Sequence, residues 1–126
     1  MSKKITEEIF DDNGNLVDTK EVEVASEPNW SEYNLGFFQN SAFNQVRVIA
    51  KQNPESELAA IRMELLANKE TERFDIYAVC WNQMIGNLMQ PGKDLISEEV
   101  VDSWNNICQQ AEMPFIYNEQ GLLELV

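Results

Sequence analysis

The sequence contains no histidine among its 126 residues. That absence removes the Ser-His-Asp triad, the Cys-His dyad and every His-ligated zinc site. Basic residues are scarce as well: nine Lys and Arg stand against 22 Asp and Glu, a formal charge of -13. A chain that holds nucleic acid by neutralising phosphates needs the opposite balance, and an anionic membrane surface repels this one. The five glycines are scattered, so no phosphate-binding loop is written in the sequence. No run approaches the roughly 18 apolar residues of a membrane span, and the start, Met1 to Glu8, lacks the apolar core of a signal peptide. These gaps predict a soluble protein made in a cytoplasm, with no cofactor, no metal and no enzymatic activity.

Cysteine is limited to Cys80 and Cys108. Both fall inside apolar helical patterns, as buried thiols of a reducing compartment do. Nothing in the sequence requires a disulfide between them, and nothing forbids one.

What is present is enough for one core: 44% of residues are hydrophobic and 10% aromatic. Lys4 to Phe10 and Leu16 to Ala25 alternate as strands do, around an Asn13-Gly14 turn in which both residues accept positive φ. Ile5 and Ile9 fall on one side of the first strand, with Leu16, Val22 and Val24 on one side of the second. A lone two-stranded hairpin is marginal in water, so it must lie on the body or pair with another chain.

Past Pro28 the period turns helical. Asn29 is positioned to cap a short helix bearing Trp30, Tyr33, Phe37 and Phe38, with Gly36 its weak point; Ser41 caps the next, and Asn53-Pro54 opens a third. Leu58, Ile61 and Leu65 read as the inward stripe of that third helix. The longest helix is predicted over about Glu72 to Met89, ended by a turn at Gln90-Pro91-Gly92-Lys93, and Ser97 opens the last. Phe115 to Tyr117 and Leu122 to Val126 read as a short second hairpin. The expected fold is α+β, mainly α: an interaction arm over 1–27, then a domain over 28–126 with a compact bundle of about five helices.

Candidate chemistry is thin. The acidic turn at Asp11 to Asn15 fails as a calcium loop, because Leu16 and Val22 occupy the glycine and glutamate places. Glu7/Glu8, Glu55/Glu57 and Glu98/Glu99 lie at a strand or at helix starts, where solvation or the helix dipole accounts for them. Trp81 and Trp104 read as core, and Met63, Met84, Met89 and Met113 as gap-fillers. Trp30 reads either as a hydrophobic staple or as an exposed contact. Ile5, Ile9, Val22, Val24 and Trp30 are therefore the candidate partner-binding residues. The first 32 residues hold nine acids and three lysines, a balance that a DNA-mimicking inhibitor of a host nucleic-acid enzyme would also show.

Pro28-Asn29-Trp30, Phe37-Phe38, Ser41-Ala42-Phe43, Val46-Arg47 and Ala50, followed by Glu64, Leu65 and Trp81-Asn82, resemble the pattern of small accessory proteins of tailed bacteriophages over about residues 28–112. The resemblance implies a structural or assembly protein of the tail, near the fibre or baseplate. It implies partners among other tail subunits or further copies of itself, and a place in the virion or in the host cytoplasm during assembly. It carries no catalytic residue.

Overall fold

The computed structural model describes residues 2–25 and 27–126, with side chains described for 8–16 and 27–126. The fold is α+β and mainly α. Strands β1 (Ser2–Phe10) and β2 (Leu16–Ala25) form the leading antiparallel hairpin. Six helices follow among the described residues: α1 (Trp30–Phe38), α2 (Ser41–Ala50), α3 (Pro54–Asn68), α4 (Phe74–Gly86), α5 (Gln90–Asp94) and α6 (Glu98–Gln110). Strands β3 (Phe115–Tyr117) and β4 (Leu123–Leu125) close the chain as a second hairpin.

Short polar side chains set the helix starts. Asn29, Asn40, Asn53 and Ser97 each accept a backbone N–H from the first turn of α1, α2, α3 and α6, satisfying donors that have no partner inside the helix. The cap of α2 is thus Asn40 rather than Ser41, one residue earlier than the sequence suggested. The predicted long helix is shorter, ending at Gly86. Gln90-Pro91-Gly92-Lys93 is not a plain turn but the body of the five-residue α5, with Pro91 in its first turn where no N–H is needed.

The core is aromatic. Trp81, Trp104, Tyr33 and Phe115 are the largest fully buried side chains. Phe43 stacks on Trp81 at 5.5 Å, and Trp81 meets Trp104 edge-on at 5.4 Å. Each indole N–H finds an acceptor: Trp30 donates to the Thr71 carbonyl, Trp81 to the Gly121 carbonyl and Trp104 to Asn40 Oδ1. The helical body therefore closes around rings whose polar edges are satisfied.

Helix α3 turns the other way from the expected one. Its buried face is made of small residues, Ser56, Ala59, Ala60 and Ala67, together with Met63. Leu58, Ile61 and Leu65 are 49%, 44% and 53% exposed, on the solvent side. The reason lies in helix α4, which packs antiparallel along α3: Ser56 at the start of α3 donates its hydroxyl to the Met84 carbonyl near the end of α4 at 2.7 Å. Only small side chains allow that approach. A choice by side-chain size alone puts the wrong stripe inside.

Candidate interaction site

The two hairpins differ in how their edges are treated. In the C-terminal one, Asn105 of α6 accepts the Tyr117 N–H at 2.7 Å and donates to the Tyr117 carbonyl at 3.0 Å. Asn82 of α4 does the same to Leu123, accepting its N–H at 2.7 Å and donating to its carbonyl at 3.0 Å. Tyr117 and Leu123 are cross-strand partners. Each asparagine amide thus supplies, to one outer edge, the donor and acceptor that a further strand would supply. Both edges of this hairpin are closed at their turn-side ends.

The N-terminal hairpin is built differently. Asp11 Oδ1 accepts the N–H groups of Asn13 and Asn15 at 2.9 Å each, and Gly14 alone takes positive φ, at 81°. The turn is therefore a three-residue loop with a left-handed glycine, rather than one needing positive φ at both Asn13 and Gly14. The backbone register sets Ile5 opposite Val22, Lys4 opposite Glu23 and Glu7 opposite Lys20. Among the described residues this sheet has two strands. All of its described side chains, Glu8 to Leu16, are exposed, including Ile9, Phe10 and Leu16. Of the candidate partner-binding residues, Ile9 is on this exposed tip. Ile5, Val22 and Val24 have side chains outside the described residues.

Trp30 is corrected. It is 4% exposed, stacks on Phe74 at 5.6 Å and meets Tyr33 and Tyr77 edge-on. With its N–H bound to Thr71 it is a core anchor, not a surface contact. Met89, expected in the core, is exposed, whereas Met63, Met84 and Met113 are buried.

Two grooves cross the helical body. One, of about 680 Å³, runs between α1, α2 and α3 and is rimmed by Leu35 and Phe38 over a floor that includes Phe43 and Met63. Its polar side is Arg47, held to Glu57 at 2.9 Å and to Glu64 at 2.5 Å. Burial disfavours this guanidinium's charge, but the two carboxylates more than offset it and hold its pKa above the ordinary value. The other groove, of about 840 Å³, lies along α6 and the C-terminal hairpin and is lined by Glu98, Asp102, Glu119 and Glu124.

Charge is distributed unevenly in a way that a total conceals. Residues 33–93 hold six acids and six bases, whereas residues 94–126 hold seven acids and no base. The net charge therefore sits in the first 32 residues and the last 33, leaving the middle neutral.

The buried titratable groups are hydroxyls and thiols. Tyr33 Oη lies 2.7 Å from Tyr77 Oη and 2.5 Å from Tyr117 Oη, and these are all the tyrosines of the chain. Burial raises the pKa of all three above the ordinary tyrosine value. Cys80 and Cys108 are free and buried, and burial pushes both thiols up, which makes them poor nucleophiles. Among the described residues no group of three His, Cys, Asp or Glu is placed to hold a metal ion, and no helix is long and apolar enough to cross a membrane.

In class, then, this is a small α+β protein whose reactive side chains are buried or solvated and whose surface offers one strand pair, apolar helix faces and an acidic end. Comparison with protein-family models, curated proteins and solved structures finds no match for the chain.

Proposed function

We propose that the protein is a non-enzymatic subunit that works by protein contact, docking through its N-terminal hairpin, and that its setting is the tail of a bacteriophage, near the fibre or baseplate. The observation that carries the docking reading is the contrast between the hairpins. The body caps the turn-side ends of its own β3–β4 edges with Asn82 and Asn105, whereas β1–β2 is a two-stranded sheet with an exposed Ile9, Phe10 and Leu16 at its tip. A two-stranded sheet is a ready template for strand addition, in which main-chain hydrogen bonds give affinity and alternate side chains give register. The tail setting rests on the residue pattern over 28–112.

The test is incorporation. Full-length protein carrying Ile9→Asp and Phe10→Asp should keep its near-ultraviolet aromatic circular dichroism, which reports the core, and fail to co-sediment with assembled particles. Co-sedimentation undiminished by these changes sinks the reading, as does a substrate turned over by the purified chain.

A second reading has its own support. The acidic groove of Glu98, Asp102, Glu119 and Glu124, in a segment without a single base, suits an inhibitor that imitates DNA and occupies a basic nucleic-acid enzyme. Such binding weakens steeply with salt, whereas strand addition by the hairpin does so far less. A salt series on the complex separates the two.

A further inference from the structure

The outward face of α3 is a second unpartnered surface, independent of the hairpin. Leu58, Ile61 and Leu65 recur at three- and four-residue spacing, which is the seam spacing of a helix packed against another helix. All three are about half exposed while their own helix buries alanines. Val48 on α2 and Val79 on α4, the helices packed on either side of α3, are exposed as well. Such a face in a soluble protein marks an interaction site.

We infer that this face binds a second copy of the chain, α3 against α3 in antiparallel orientation about a two-fold axis. The occupant follows from charge. Two chains of charge -13 repel, and the neutral stretch 33–93, to which α3 belongs, is where that repulsion is least. The flank of the seam beside α4 carries Glu55 at the start of α3, Arg62 at its middle and Lys69 just past its end, all exposed. A two-fold axis reverses this order on the second helix. Glu55 then lies beside Lys69 of the second copy, and the same pair recurs at the other end. The opposed helix dipoles align head to tail, also favourably. On the other flank Glu57 and Glu64 share the single Arg47 of their own chain, which leaves one net negative charge there on each copy. Two contacts are unfavourable: that residual charge faces its counterpart across the seam, and the two copies of Arg62 meet near the axis.

That pattern makes the pairing testable by charge exchange in the full-length protein. Sedimentation equilibrium from about 1 µM to about 1 mM, the range of weak to moderate association, should show a monomer–dimer equilibrium. Leu58→Ser with Leu65→Ser should weaken it at least about tenfold. Glu55→Lys alone and Lys69→Glu alone should each weaken it by about fivefold, because each puts like charges together at both ends. The two combined should restore it. Both changes oppose the dipole of α3 itself, so recovery of the dimer cannot come from a steadier helix. Arg62→Gln should tighten the dimer, whereas it would weaken the hold of an acidic foreign partner. A monomer throughout the range overturns the inference, and so does a dimer indifferent to these substitutions or one that the exchanged pair fails to rescue. None of these three outcomes touches the hairpin, whose test is incorporation.

Discussion

Raising the pH should unfold this protein through its tyrosines. All three sit in one buried cluster with Tyr33 at the centre, and burial holds each hydroxyl in its neutral form. In the unfolded chain each ionises near pH 10. The folded pKa lies above the unfolded one, so the stabilisation is complete below about pH 9 and erodes as the pH passes about 10. Each retained proton costs the fold about 1.4 kcal/mol per pH unit above that point, and three together about 4 kcal/mol per unit. Cys108, whose thiol burial also raises, adds another increment of about 1.4 kcal/mol per unit from about pH 9. A domain of this size holds about 5–15 kcal/mol in total, so the transition should fall within one to three units above pH 10. Absorbance at 295 nm, recorded with far-ultraviolet circular dichroism, checks this. No tyrosinate should appear at pH 10, and then all three should appear in one step coincident with loss of helix. One tyrosine titrating reversibly near pH 10 with the helices intact would refute the reasoning.

Other outcomes follow from the same packing. Tyr33→Phe leaves the hydroxyls of both Tyr77 and Tyr117 without their shared partner and should cost about 2–4 kcal/mol, more than Tyr77→Phe or Tyr117→Phe at about 1–2; urea unfolding orders the three. Asn82→Ala and Asn105→Ala each strip an N–H and a carbonyl of their partners and should cost about 2–4 kcal/mol by the same assay. Gly36→Ala and Gly86→Ala should have opposite signs. A Cβ at Gly36 would lie 2.7 Å from Ile107 Cγ2, an overlap worth about 1–3 kcal/mol against a propensity gain of about 1. At Gly86 a Cβ meets nothing within 4 Å, and up to about 1 kcal/mol should be gained. Both thiols should resist an aromatic disulfide reagent until denaturant is added, since Cys80 and Cys108 are buried and hard to ionise.

The element order was legible because punctuation in this sequence is strong. Asn29, Asn53-Pro54 and Ser97 mark three helix starts by chemistry that is local to the chain, and Gly14 marks the first turn. What was not legible depends on partners distant in sequence. The orientation of α3 is decided by how closely Ser56 approaches Met84, 28 residues away, and Leu58, Ile61 and Leu65 carry no local sign of that. Trp30 reads as exposed or buried with equal reason until Phe74 and Thr71 are known to lie beside it. The asparagine clamps had no signal of their own, since Asn82 and Asn105 look like ordinary polar positions on helices until the strands they serve are in place. The charge division was written in the sequence throughout but disappears when acids and bases are totalled over its last 94 residues.

These particulars bear on one another. A chain that meant only to stay soluble would spread its charge, yet here residues 33–93 balance while both ends are strongly acidic. The acidic ends expose apolar side chains too, Ile9, Phe10 and Leu16 at one and Ile116 and Leu125 at the other, but Leu58, Ile61 and Leu65 stand exposed within the neutral stretch. Repulsion from the ends then acts as orientation control: approach through the α6 face or through the hairpin of a like copy is opposed, while approach through α3 is not. The charge at the first end bears on the hairpin as well. With nine acids and three lysines in the first 32 residues, a second copy of this hairpin is a poor strand partner. On the proposed docking role, Ile9→Asp with Phe10→Asp should therefore abolish incorporation while leaving α3 self-association, read by sedimentation equilibrium, unchanged. Equal loss of both would mean that the two surfaces are one.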